Sequence, residues 1–466
     1  MSLAMVATGP AGAAGETPTP PSPTAACDSV SPIAIPCIAL NKTVDAVAAE
    51  CRRAGVADTK CTLPLAHRVT QAATDAYLQS WVHQTAQFQY ALGDSLPFDE
   101  AQWIGTHNSF NSLADTFTIS HADSNQQLSL TQQLDIDVRA IELDLHYIPQ
   151  LGKLGQRAVA VCHGESPSQL DLGCTTEPLF SAVLPEVATW LNAHPSQVIL
   201  LYLEDEMGKP AAYASTIDTL DSVLRRPDGS SLIYRPKASD RAANGCTPMP
   251  TDVSRDGVRA AGAQVVIVGS CAPGWSADVF DWNASHVESG STSGYQAYPA
   301  CDASYGAGVY DSEMVRYFED STLVSALLDP TRKPADPEAL TPTKVQEMTD
   351  CGVNLFGLDQ LLPEDGRIQA TLWSWAPDEP SATAGRCALQ RGTDGRWVAA
   401  PCTDTHPAAC FDGSTWTVTA TPVAFTEAAS ACEQAGSTFA VPRAGDQNSA
   451  LHAAAGGDVW VDYSLS

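Results

Sequence analysis

Four short apolar runs, each ending in a side chain that can carry charge or move a proton, constrain this chain more than anything else in it. Trp103-Ile104-Gly105-Thr106 leads into His107, Asn108 and Ser109. Ala140-Ile141-Glu142-Leu143-Asp144-Leu145 carries two carboxylates two residues apart, a spacing that puts both on one face of a strand. Val159-Ala160-Val161-Cys162 runs into His163, and Val198-Ile199-Leu200-Leu201-Tyr202-Leu203 into Glu204. Strand-length runs alternating with helical stretches predict an α/β fold with a parallel sheet. A parallel barrel opens all its strand C-termini on one face, where these ends would bring two imidazoles, an amide and three carboxylates together. The expected architecture is therefore α/β, a TIM-type and distorted barrel, with a small disulfide-stapled C-terminal α+β domain.

The order of elements fills in this frame. Residues 1–26, rich in Ala, Gly, Pro and Thr, read as a disordered leader. Residues 27–97 read as a helical, Cys-containing extension, with helices expected over Val44–Arg53 and, unbroken, over Leu65–Leu92 to a stop at Gly93. The barrel spans 98–365. Its strands are expected at Ala101–Gly105, Val138–Leu145, Ala158–Cys162, Gln197–Leu203, Leu232–Tyr234, Gln264–Gly269 and Val353–Leu358, with a weak candidate at Val309. Helical stretches fall at Asn125–Gln133, Leu179–Ala193, Ile217–Leu224 and Val315–Leu328. From about Trp373 helical periodicity fades and Trp, Gly and Cys dominate, marking a second domain over 370–466.

Charge and cysteine usage narrow the setting. The 466 residues carry a formal net charge of −29, which excludes tracking a nucleic-acid backbone and demands cations near any anionic membrane. Fourteen cysteines without a CxxC pair read as disulfides formed in an oxidising, extracellular compartment. Pairing of neighbours, Cys27 with Cys37 and Cys51 with Cys61, is the simplest arrangement, with connectivity left open. No apolar run reaches membrane-spanning length. Met1–Ala4 opens without a basic segment and long apolar core, so a signal peptide is expected to have been removed before it.

The ordered set Gly105-Thr106-His107-Asn108-Ser109, Glu142-Leu143-Asp144, His163 and Glu204 resembles the catalytic X-region of phosphoinositide-specific phospholipase C in its calcium-dependent form, over roughly 98–362. The resemblance implies a secreted enzyme acting on a phosphoinositide lipid at a membrane or micelle surface, with Ca2+ as cofactor. It implies Asn108, Glu142, Asp144 and Glu204 as calcium ligands. It implies His107 as stabiliser of the pentacoordinate transition state and His163 as the acid on the leaving diacylglycerol oxygen. Glu142, or Glu204, would be the base on the inositol hydroxyl. In metal-independent members an Arg takes the cation's place; the residue standing there in this chain is Asp144. An all-oxygen, carboxylate-rich donor set suits calcium on chemical grounds alone. The register of the fourth ligand is open among Glu204, Asp205 and Glu206, with Glu204 preferred.

Other residues carry less. His146, on the face of Asp144, either touches substrate or caps its strand, and Asp359 orients either a histidine or a substrate hydroxyl. Arg139, an odd number of residues before Glu142, is expected to point away. Trp275, Tyr295, Tyr298 and Tyr305 are placed in loops, with packing the favoured role. The C-terminal stretch resembles a C-type-lectin-like domain with its halves in swapped order, which implies bridges Cys387–Cys402 and Cys410–Cys432 and a glycan partner. The calcium-binding triplet of sugar-binding lectins is represented only by Asp378-Glu379-Pro380. Two rival functions remain: a glycerophosphodiesterase or sphingomyelinase-like phosphodiesterase, and a non-catalytic extracellular glycan-binding protein.

Overall fold

The computed structural model describes residues 71–465 except 113, 115–123, 151–152, 164–173, 175–176, 284, 293, 302–312, 320–339, 364 and 382. The leader, the helix expected at Val44–Arg53, the four cysteines before residue 62, the strand candidate Val309 and Tyr305 lie outside the described residues.

Two helices come first, α1 (Gln71–Leu78) and α2 (Trp81–Gly93). The sequence predicts one unbroken helix here; instead Ser80 turns extended and its hydroxyl accepts from His83 N, capping a new helix. The barrel strands follow as β1 (Trp103–Thr106), β2 (Ala140–Pro149), β3 (Arg157–Val161), β4 (Ile199–Glu206), β5 (Ile233–Tyr234), β6 (Val265–Gly269), β7 (Phe280–Asp281), β8 (His286–Ser289), β9 (Met314–Phe318) and β10 (Leu355–Leu358). The hydrogen-bonded order is β5-β6-β4-β2-β1-β10-β9-β8, with β7 also on β6 and β3 on β2. Every pairing is parallel except β2 with β3. Among the described residues no ladder joins β7 to β8. The short segment between them bridges the seam, Trp282 N donating to Gly269 O on β6 and Ser285 O accepting from Met314 N on β9. The result is a distorted TIM-type barrel.

Side chains sort by strand parity. Ile141, Leu143, Leu145, Leu201, Leu203, Ile267 and Phe356 pack outward against helices such as Phe180–Ala193. Trp103, Ala140, Leu200, Val266, Val268, Trp282, Met314 and Leu355 plug the interior. On β2 the inward positions after Ala140 are Glu142, Asp144 and His146, all buried; the plug therefore gives way to charge towards the strand ends.

Three further expectations are corrected. Ala158–Cys162 is not a parallel barrel strand: β3 returns antiparallel along β2, because only seven residues separate them and so short a link cannot make a parallel crossover. Val315–Leu328, expected as helix, begins with strand β9, whose Met314, Arg316 and Phe318 face one side and Val315 and Tyr317 the other. The helix expected from Asn125 starts only at Leu130, where Ser129 and Gln132 form a capping box.

The C-terminal region holds β11 (Cys387–Gln390), β12 (Trp397–Ala400), β13 (Thr405–His406), β14 (Ala409–Phe411), β15 (Trp416–Val418), β16 (Val423–Ala424), β17 (Thr438–Phe439) and β18 (Val459–Ser464). It adds helices Ala428–Gln434 and Gly445–Ala455. Its first strand, β11, lies between β12 and its last, β18. Cys387–Cys402 and Cys410–Cys432 are both bridged. Glu379, in the partial calcium triplet, spends its carboxylate on the backbone amides of Ser381 and Ala399.

Residues 68–466 form one unit, and α2 explains why. Its Gln89 Oε1 accepts from Trp373 N, Ser374 N and Ser374 Oγ at 2.7–3.0 Å. Its Phe88 ring packs on Trp375, Trp397 and Tyr463. Three further disulfides, Cys162–Cys174, Cys246–Cys271 and Cys301–Cys351, tie loops of the barrel. Among the described residues no cysteine is free and no helix is long and apolar enough to cross a membrane.

Candidate active site

The Gly-Thr-His-Asn-Ser segment divides its labour between holding and presenting. Gly105 has no room for a side chain: a Cβ would lie 2.7 Å from Phe356 O. Thr106 Oγ1 donates to Gln133 Oε1 at 2.7 Å, and Ser109 Oγ accepts from Glu142 N at 2.8 Å. Those two hydroxyls fasten the loop to its neighbours. The residues between them, His107 and Asn108, face the mouth, Asn108 in a left-handed conformation (φ 44°), which Asn tolerates better than most residues.

Asp359, just past β10, places its Oδ1 3.3 Å from His107 Nδ1. Glu319 Oε2 accepts from Asp359 N and Arg367 donates to Asp359 O, both at 2.8 Å. Gln126 Nε2 bonds both His107 O and Leu358 O at 2.7–2.8 Å, joining the two loops. Burial opposes a charge on His107, but the Asp359 and Glu142 carboxylates outweigh it and hold the imidazole up at about 9.

Across from this pair, Glu142, Asp144 and Glu204 each offer an oxygen, all within 4.8 Å of one another. Register explains the convergence, because Asp144 pairs directly with Glu204 and Glu142 with Tyr202. Glu204 thus turns into the acidic cluster, while the Asp205 carboxylate accepts from Tyr213 OH and Met207 N. The Asn108 amide joins them; with its nitrogen towards Asp144 it donates to Oδ2 at 2.8 Å and Oδ1 at 3.0 Å. Burial, then Glu204 and Glu142, push the Asp144 carboxyl well above the usual range. Burial, then Glu142 and Glu206, push Glu204 up to about 6.

Arg316 was not anticipated. From β9 its guanidinium reaches Glu142 Oε2 at 2.5 Å and Glu288 Oε2 at 2.7 Å, and lies over the Tyr202 and Phe318 rings. Gly357 makes room for it: a Cβ there would sit 3.3 Å from the guanidinium. The sequence signal was an arginine amid hydrophobic strand residues, hidden by a helical reading of the segment. Gln126 and Gln133 were likewise missed; nothing local distinguishes them from surface glutamines.

His163 arrives by an unexpected route. β2 runs past the mouth, β3 folds back, and Cys162 N donates to Asp144 O at 3.1 Å, so the next residue starts level with the acidic cluster. His163 is exposed. His146 is buried on β2 opposite Glu206. Arg139 points away as expected, to Gln197 and the carbonyls of Leu134 and Val138. Trp275 and Tyr295 are buried in packing.

Two Mycobacterium tuberculosis proteins, the uncharacterized protein Rv2075c of strain H37Rv and the uncharacterized protein MT2135 of strain CDC 1551, are each 67% identical over 455 residues, covering 97% of this chain and 93% of theirs. A Listeria monocytogenes phosphatidylinositol-specific phospholipase C structure aligns at 17% identity over 62% of this chain and 97% of its own, with a TM-score of 0.40. One from Staphylococcus aureus aligns at 10% identity over 63% and 97%, also at 0.40. The family model described as the Rv2075c PI-PLC-like domain matches residues 62–365, well over half of the chain, and the chain belongs to that family.

Proposed function

We propose that this chain is a secreted, calcium-assisted phosphodiesterase that cleaves phosphatidylinositol to diacylglycerol and a cyclic inositol phosphate. One observation supports it above the others: an all-oxygen cluster and a carboxylate-held imidazole face each other at one barrel mouth. The donor set suits a hard cation. Glu142, Asp144, Glu204 and Glu206 crowd one another, with Arg316, which also pairs with Glu288, and His107, which pairs with Asp359, beside them. That excess of negative charge is what one divalent ion would balance. Held by Asn108, Glu142, Asp144 and Glu204, it would acidify the attacking hydroxyl and neutralise a phosphoryl oxygen.

The chain's own residues do the rest. His107, kept cationic by Asp359, turns its other nitrogen to the charge that develops on the phosphoryl oxygens. Glu142, with Oε2 fixed by Arg316, or Glu204 takes the inositol hydroxyl proton, and that oxygen attacks phosphorus. His163 gives a proton to the departing diacylglycerol oxygen. Arg316 adds a fixed positive charge beneath the cluster, so the chain carries both an acidic ion site and an internal guanidinium. The disulfides support the secreted setting.

The test is hydrolysis of phosphatidylinositol against phosphatidylcholine and glycerophosphodiesters, with calcium and with a chelator. Calcium-dependent cleavage confined to phosphatidylinositol, lost by three orders of magnitude or more in His107→Ala, is the expected result. Preference for another headgroup would favour the glycerophosphodiesterase or sphingomyelinase-like alternative, and activity retained in the chelator would remove the metal role.

A further inference from the structure

The β2–β3 ribbon leaves the barrel wall at the mouth. β2 pairs with β4 only as far as His146 with Glu206; beyond that, Tyr147, Ile148 and Pro149 pair with β3 alone. Five residues separate Asp144 from Pro149, so the ribbon stands roughly 16 Å above the acidic cluster at strand rise. It is braced from one side, where Ile148, Ala160 and the Cys162–Cys174 bridge form a small core with Leu179. Its turn is closed by Gln150 N to Gln156 O at 2.9 Å, Lys153 N to Gln150 O and Gln156 N to Lys153 O.

In the turn of this ribbon Leu154 is fully exposed, at 104% of its reference area. The other exposed large hydrophobic among the described residues, Leu78, shows 39%. A polar residue is the usual choice for such a turn, and single exposed leucines are common, so the leucine alone decides nothing. The charge around it does. A chain with 54 Asp and Glu against 25 Lys and Arg places no acidic residue in 147–161 and two basic ones, Lys153 and Arg157. Both are exposed, and the Arg157 guanidinium lies over the Tyr147 ring. An apolar tip with a cationic collar matches a membrane interface, where an aliphatic side chain enters the acyl boundary and lysine or arginine meets lipid phosphate.

We propose that the β2–β3 hairpin docks the enzyme on an anionic lipid surface, with Leu154 inserted and Lys153 and Arg157 against the phosphates. The proposal rests on the lipid-phosphodiesterase reading. The docked hairpin turns the barrel mouth towards the headgroups, and it offsets locally the repulsion that a net charge of −29 would otherwise impose.

The test uses the full chain, vesicles of phosphatidylcholine with and without phosphatidylinositol, and dihexanoyl phosphatidylinositol below its micellar concentration. Leu154→Asp is expected to weaken binding to phosphatidylinositol vesicles at least tenfold and to lower vesicle turnover in step, with hydrolysis of the monomeric lipid unchanged. Lys153→Glu is expected to weaken vesicle binding several-fold. Leu154→Trp is expected to blue-shift its emission on vesicle addition. Wild-type vesicle affinity in Leu154→Asp, or no emission shift in Leu154→Trp, would overturn the docking assignment. A wild-type chain that binds vesicles through Leu154 but hydrolyses neither form of the lipid would instead overturn the proposed activity and leave docking intact.

Discussion

Asp137 and Asp144 lie seven residues apart on one stretch of chain, both buried, and are treated in opposite ways. Asp137, just before β2 in a left-handed conformation (φ 72°), receives Tyr77 OH at 2.7 Å, Gln87 Nε2 at 2.6 Å and His83 Nδ1 at 3.0 Å, with Arg139 3.7 Å away. Asp144 meets Glu142 and Glu204, with the Asn108 amide as its described donor. A buried carboxylate without compensation is costly, and the chain satisfies that cost at the closed end while leaving it standing at the open one. The first arrangement fastens α1 and α2 to the barrel. The second keeps a negative potential that a bound cation would relieve, which is the pattern expected where stability yields to function.

The sharpest way to break the contrast is to neutralise each carboxylate in turn. Asp144→Asn should lower turnover by at least 100-fold while leaving the chelated protein as stable as wild type or more so, because a like-charge contact is removed. Asp137→Ala should do the reverse, costing about 3 kcal/mol of stability through stranded buried donors, with turnover per folded molecule nearly unchanged. Paired thermal melts and initial rates would show it; a comparable stability loss in both variants would erase the distinction.

A smaller effect concerns pH. Glu204 sits at about 6 in the folded chain, above the roughly 4.3 of a free glutamate, and Asp144 is raised as well. Groups raised on folding favour the folded state below their unfolded values and cease to do so as pH rises through the folded ones. In chelator, the melting temperature should therefore fall between pH 5 and pH 7 through this cluster, and calcium should flatten that slope. A slope indifferent to calcium would separate these carboxylates from any metal.

How much of this was legible in the sequence follows from the range of the signals. His107, Asn108, Glu142, Asp144, Glu204 and Asp359 all sit at the ends of apolar runs, and strand parity alone places Glu142 and Asp144 together. Arg316 was hidden because Val315–Phe318 continues into residues with helical spacing, and only the barrel's closure reveals that this arginine points inward at Glu142. Sequence registers the β3 strand but not its direction; the antiparallel return brings Cys162, the residue before His163, against Asp144. Asp137 carried no local signal, since its partners Tyr77, His83 and Gln87 come from helices some fifty to sixty residues earlier. Local pattern thus showed the charges aimed at the mouth, whereas the contacts that neutralise or support charge span the fold.

The measurement closest to the central claim is the calcium-induced shift in melting temperature of the wild-type chain beside Asp144→Asn and Glu204→Gln. Millimolar calcium should raise the wild-type midpoint by several degrees over chelator through preferential binding to the folded state, and should do little for either variant. An unshifted wild type, or a shift of equal size in all three proteins, would contradict the view that this acidic cluster is built around a divalent ion.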